Sequence, residues 1–98
     1  MSFLRKLFGM GPKVDHRQWI KEGGVVIDVR SAAEFKSGHP KGAVNIPLDR
    51  ISDVAKKYKK EQKIILCCRS GMRAGNAKSQ LKAMGFQHLV NVGAWQNV

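Results

Sequence analysis

The stretch Lys63-Ile64-Ile65-Leu66-Cys67-Cys68-Arg69-Ser70-Gly71-Met72-Arg73-Ala74 changes character at its centre. Lys63 to Cys67 is an apolar run opened by one lysine, the pattern of a strand covered on both faces. From Arg69 the chain turns polar, basic and glycine-containing. From Met72 to Met84 it reads as a helix, with Ala74, Ala77, Leu81 and Met84 on one stripe and Gly85 as its stop. A cysteine, Cys68, therefore stands where a buried strand gives way to the start of a helix.

Outward from that stretch, strand-like and helix-like segments alternate at close spacing. Asp15 with Gln18 three residues on resembles a capping box, with Trp19 and Ile20 just inside and Gly23-Gly24 as the stop. Val25-Val26-Ile27-Asp28-Val29 reads as another buried strand. Ser31 caps a short helical turn through Ala32, Ala33, Glu34 and Phe35, closed by Gly38. Ala43-Val44-Asn45-Ile46 is a short strand halted by Pro47, and Leu48 to Tyr58 has helical periodicity through Ile51, Val54, Ala55 and Tyr58. Leu89-Val90-Asn91-Val92 is the last strand. Strands alternating with helices predict a parallel α/β sheet with right-handed crossovers. In such sheets sites lie beyond the carboxyl ends of the strands. Two segments emerge there together: Asp28-Val29-Arg30, and the loop from Cys68 to Ala74.

The 98 residues suffice for one domain, since a chain of this size buries roughly 60–70% of its unfolded surface. With 43% hydrophobic and 26% charged residues it is ordinary for a globular protein, which excludes wholesale disorder. The two cysteines are adjacent and rarely bridge in that arrangement, so a reduced, cytoplasmic setting is expected. No apolar run approaches the ~20 residues of a membrane span. The start, Met1 to Gly11, interrupts its apolar residues with Arg5 and Lys6 and lacks the h-region and cleavage site of a secretory signal. It reads as a tail over residues 1–12, too short for stable membrane insertion, ahead of a single domain over 13–98.

Eighteen Lys plus Arg against seven Asp plus Glu give a net charge of +11, which invites nucleic acid as a partner. The placement argues otherwise. Lys56, Lys57, Lys59, Lys60 and Lys63 cluster at one helix end, where lysine suits the helix dipole and solubility, and only Tyr58 is interleaved with them. No specific nucleic acid is expected.

The loop carries the chemistry. Backbone N–H groups from Arg69 to Arg73 are placed to turn inward as an anion nest, the following helix adds its positive end, and Arg69 and Arg73 add full charges. All three favour thiolate over thiol at Cys68 and would hold a small oxyanion against the sulfur. The pattern suggests a nucleophilic cysteine that takes up a group from an anionic donor. The plainer reading, a small buried hydrophobe, fits Cys67, which continues the strand, better than Cys68, whose neighbours are polar and basic. His16, His39 and His88 lie far off in sequence, no Cys/His spacing makes a zinc site, and no metal or cofactor is called for.

These residues resemble the rhodanese family. Asp28-Val29-Arg30-Ser31 with Glu34-Phe35, then Gly38-His39-Pro40-Lys41-Gly42-Ala43-Val44-Asn45-Ile46-Pro47-Leu48, is similar to the family's first signature. Cys68-Arg69-Ser70-Gly71-Met72-Arg73-Ala74 is similar to its active-site loop. Leu81-Lys82-Ala83-Met84-Gly85-Phe86 and Val90-Asn91-Val92 resemble its last helix-strand unit. The resemblance runs from Val14 to Trp95. It implies a single-domain α/β fold with a five-stranded, mostly parallel sheet and helices on both faces. It further implies a sulfurtransferase in which Cys68 attacks the outer sulfur of a donor such as thiosulfate and keeps it as a persulfide. A thiol, cyanide or an acceptor protein then takes that sulfur. The amides of Arg69, Ser70, Gly71, Met72 and Arg73 would cradle it, with Arg73 closing the loop and facing the anion.

In the same resemblance Asp28 and Arg30 support the strand end, tied to neighbouring backbone or to Glu34, and His39 and Gly42 shape a turn. The family usually follows a double glycine with a tryptophan and a closing helix. Here Gly93-Ala94-Trp95 is compressed and that helix is truncated, which implies a more open mouth suited to a small acceptor or a docking protein. A monomer is expected. The alternatives are a sulfur-carrier or interaction module and, with less support, a cysteine phosphatase or arsenate reductase. The Cys-x4-Arg spacing is one residue short of the phosphatase loop.

Overall fold

Strand β3 (Lys63–Cys68) is the spine of the molecule, because Ile64, Ile65 and Leu66 leave no surface exposed on either side. The computed structural model describes residues 14–98; the tail read over residues 1–12 lies outside the described residues. Around β3 the chain builds α1 (His16–Lys21), β1 (Val25–Asp28), α2 (Ala32–Ser37), β2 (Val44–Asn45), α3 (Asp53–Lys57), α4 (Met72–Ala83) and β4 (His88–Ala94). Short 3-10 turns occupy Leu48–Arg50 and Trp95–Asn97. The sheet has the order β2-β1-β3-β4 and every pairing is parallel.

The two sheet faces bury different sets. Ile27, Val29, Ile64 and Leu66 pack against Ile51 and Val54 and against Ala74, Ala77 and Leu81 of α4. Val26, Ile65 and Cys67 meet Trp19 of α1 on the other face, together with Trp95 and Val98. This is the α/β class with helices on both faces. Among the described residues the sheet has four strands rather than the five that the family resemblance implied. The residues just ahead of β1 are spent on a helix instead, since Asp15 accepts the N–H groups of Arg17 and Gln18 and caps α1. That cap is half a box: the Gln18 side chain turns away and donates to Glu22.

Leu48 to Tyr58 also differs from the single helix its periodicity suggests. Arg50, Ile51, Val54 and Ala55 all donate to the carbonyl three residues back, and Ser52 gives no side-chain cap. With three residues per turn, Ile51 and Val54 fall on one buried face while Ala55 is exposed. The last strand pair carries a bulge. Leu66 pairs with Asn91 but Cys68 with Ala94, so β4 holds one extra residue opposite Cys67. Gly93 absorbs it at φ 82°. No helix among the described residues is long and apolar enough to cross a membrane.

Candidate active site

The carboxyl ends of β1 and β3 lie side by side, with Asp28 opposite Cys67. Asp28 is wholly buried, and a buried carboxylate is tolerated only when its lone pairs are used. Its Oδ1 accepts the Arg30 N–H at 3.0 Å, and the Arg30 guanidinium reaches both oxygens, at 2.7 Å to Oδ2 through Nη2. Nη2 also donates to the Gly38 carbonyl at 2.6 Å, and the guanidinium stands 4.9 Å from the centre of the Trp95 ring. Asn45 of β2 donates to the carbonyls of both Asp28 and Arg30. The strand end is thus tied to backbone and to its own arginine, and Glu34 forms no hydrogen bond with either residue among the described residues.

Glu34 is engaged elsewhere. It completes a full capping box with Ser31 at the start of α2. Its two oxygens also receive the Arg73 guanidinium, Nη1 at 2.7 Å and Nη2 at 2.9 Å, a fork-to-fork pair linking α2 to the cysteine loop. The Arg73 guanidinium, with help from Ser31, holds the Glu34 carboxyl at about 2, and Glu34 in turn raises the Arg73 guanidinium. Arg73 closes the loop, but its forked face is turned to Glu34. Arg69 forms no ion pair among the described residues, and the side chains of Arg69, Ser70 and Met72 are exposed, Met72 at 83%.

Cys68 itself is 1% exposed. Its Sγ accepts the Gly71 N–H at 2.9 Å and the Ala74 N–H at 3.4 Å. Of the five amides expected in the nest, Gly71 is the one bonded to the sulfur, and Ala74 lies one residue past the expected span. Gly71 sits at φ 103°, which turns its N–H inward and starts α4. Ala74 offers one of the N–H groups that the first turn of a helix leaves without an internal partner. Cys67 faces the opposite side of the sheet, as alternation along a strand requires. Burial, reinforced by Asp28, pushes its thiol up to about 12, so it stays protonated.

His39 lies between α2 and the Lys41-Gly42 turn, outside the turn itself: its Nδ1 lies 2.7 Å from the Phe35 carbonyl and its ring stacks on Phe35 with centroids 3.7 Å apart. Asn91 escaped the sequence reading. From β4 its Nδ2 donates to the Gly71 carbonyl at 2.9 Å, and its Oδ1 accepts the Gly93 N–H at 2.8 Å. The available signal was an amide side chain inside an otherwise apolar strand; Asn45 in β2 is the parallel case.

The chain matches the rhodanese-like domain family over residues 13–97 and belongs to it. It is 31% identical over 74 residues to the thiosulfate sulfurtransferase PspE of Escherichia coli, covering 74% of this chain and 71% of that protein. It is 33% identical over 67 residues to the putative sulfur carrier protein YrkF of Bacillus subtilis, covering 68% of this chain and 36% of that longer protein. Among solved structures, the human single-domain sulfurtransferase TSTD1 superposes with a TM-score of 0.72 at 25% identity, covering 83% of this chain and 86% of that one. A structure of a rhodanese with anions from E. coli superposes at 0.71 with 30% identity, covering 76% and 91%. PspE and TSTD1 are named as sulfurtransferases and YrkF as a putative sulfur carrier.

The Glu34–Arg73 link has a pH signature. A carboxyl held low in the folded state stabilises the fold fully above the ordinary carboxylate value, and loses that contribution as pH falls through about 2. Denaturant midpoints of wild type and Glu34→Gln should therefore differ most near neutrality and converge between those two values. A difference that stays constant down to the lower value would show that the ion pair is not its source.

Proposed function

We propose that this protein is a sulfurtransferase that carries a sulfane sulfur on Cys68, taken from thiosulfate or a similar persulfide or polysulfide donor. The observation that carries the reading is the pair of N–H groups, Gly71 and Ala74, bonded to a recessed cysteine sulfur at the start of a twelve-residue helix. Such donors stabilise negative charge on sulfur before and after transfer. The Cys68 thiolate attacks the outer sulfur of thiosulfate. A new S–S bond forms, the old one breaks, and its electron pair leaves with sulfite. The resulting persulfide then gives its outer sulfur to a thiolate, to cyanide or to an acceptor protein, and the Cys68 thiolate returns. Two nucleophilic displacements complete the cycle, so neither a metal nor an organic cofactor is required, and one protomer contains every group named.

Charge near the sulfur comes from fewer sources than two free arginines would give. Arg73 is matched by Glu34, which leaves Arg69 as the loop cation without an ion pair among the described residues, beside the helix start and the amides. This favours small anionic donors without demanding a dianion. The exposed rim of Arg69, Ser70 and Met72 also suits a protein partner, and YrkF, a putative sulfur carrier, supports a carrier role as the second reading.

Thiosulfate:cyanide sulfurtransferase assays on two serine variants test the assignment. Cys68→Ser should abolish turnover, while Cys67→Ser, which buries a hydroxyl on the far face, should lower stability and retain most of the activity. Substantial turnover by Cys68→Ser would refute the assignment.

The Glu34–Arg73 pair makes a separate kinetic prediction. Arg73→Ala leaves the Glu34 carboxylate uncompensated beside the anion path, so kcat/KM for thiosulfate should fall about tenfold to a hundredfold. Adding Glu34→Gln removes that repulsion and should restore several-fold of the loss. A double variant no better than Arg73→Ala would show that Arg73 acts on the anion directly rather than through its pairing.

A further inference from the structure

We infer that Asn91 is a positioning residue for the sulfur on Cys68, acting from β4 through Gly71. The inference rests on Cys68 being the sulfur carrier and adds a residue outside the loop to its machinery. Gly71 provides the shorter of the two hydrogen bonds to Sγ, and it does so from a left-handed conformation. Such a conformation in a loop needs to be held. The Gly71 carbonyl accepts the Gly75 N–H at 2.8 Å, the first bond of α4, and the Asn91 Nδ2 at 2.9 Å. Asn91 is itself held, because its Oδ1 accepts the N–H of Gly93 in the β4 bulge.

Packing closes the same link. A β-carbon on Gly71 would lie 3.3 Å from the Gly93 Cα, and one on Gly75 would lie 3.5 Å from the Asn91 Nδ2. The bulge therefore brings a glycine up to the loop, and the Asn91 amide bridges the two. A donor on one side and an acceptor on the other are both used, and the Asn91 carboxamide supplies both from one side chain. The chain of contacts runs Gly93 N–H, Asn91, Gly71 carbonyl, and then the Gly71 N–H on the sulfur.

Two variants and one control test this. Asn91→Leu removes both bonds at similar volume. Asn91→Asp keeps the acceptor for Gly93 and loses the donor to Gly71. Both should lower thiosulfate kcat/KM about tenfold, the effect of one lost hydrogen bond at about 1.4 kcal/mol per decade. Both should also move the pH midpoint of Cys68 labelling by iodoacetamide upward, since a loosened Gly71 N–H stabilises thiolate less well. The charged groups packed near the loop, Asp28 with Arg30 and Glu34 with Arg73, are paired with each other. Asn91→Asp adds a carboxylate to them, so the uncharged Asn91→Leu sets the expected midpoint shift and Asn91→Asp should exceed it. Leu81→Val, in the core below α4, is the control for simple destabilisation and should leave the labelling midpoint in place. The inference is overturned if Asn91→Leu, or Asn91→Ala where the leucine variant does not fold, keeps kcat/KM within twofold of wild type or leaves the labelling midpoint unmoved. Labelling does not depend on sulfur transfer, so absent activity in the wild-type protein would count against the proposed function while the midpoint still tests Asn91.

Discussion

A carboxylate and a guanidinium, Asp28 and Arg30, are buried together at the end of β1, and the architecture around Cys68 is arranged about them. Two charges in a protein interior are tolerated only where geometry and hydrogen bonds offset the loss of water. Here Asp28 receives one backbone and three side-chain contacts from Arg30, and Arg30 reaches on to the Gly38 carbonyl and lies against Trp95. Each of those partners belongs to a different segment. The pair therefore fixes where the segment after α2 runs and where the chain after β4 lies. With α2 set in place by its Ser31 cap, Glu34 is within reach of Arg73.

The cysteine loop is consequently held from two sides. From α2, Glu34 grips Arg73; from β4, Asn91 grips Gly71. Between these holds, the Gly71 and Ala74 amides address the sulfur. The strongest charges near the site are already matched, so a reacting anion meets oriented amides and a helix start more than free cations. The same pattern recurs over the surface. Among the described residues, four of the seven carboxylates stand in ion pairs with lysine or arginine, and Lys57 and Lys60 lie over the Tyr58 and Phe86 rings.

The sheet was legible because it rests on runs such as Val25 to Ile27 and Ile64 to Cys67, whose burial on both faces leaves a continuous apolar record in the sequence. Cys67 was legible as core because it continues the apolar run; Cys68 was set apart by the polar loop after it, yet it closes the same strand and is equally buried, on the opposite face. The fifth strand came from family likeness and not from an apolar run, and the described residues do not contain it. The partner of Arg73 was hidden for another reason. Glu34 and Arg73 are thirty-nine residues apart, and charge pairing at that range leaves no periodic trace. Asn91 was masked by its apolar neighbours, and Ala74 by its place on the helix stripe, where its side chain is core while its N–H serves the sulfur.

The central claim is that Cys68 holds transferred sulfur while Cys67, two-faced from it across the same strand, does not. Mass spectrometry of the intact protein after thiosulfate treatment, followed by differential alkylation and peptide mapping, reads this directly. The account predicts a gain of one sulfur atom, located on Cys68 and reversed by a thiol reductant. A protein that gains no sulfur, or one whose added sulfur maps to Cys67, would contradict it.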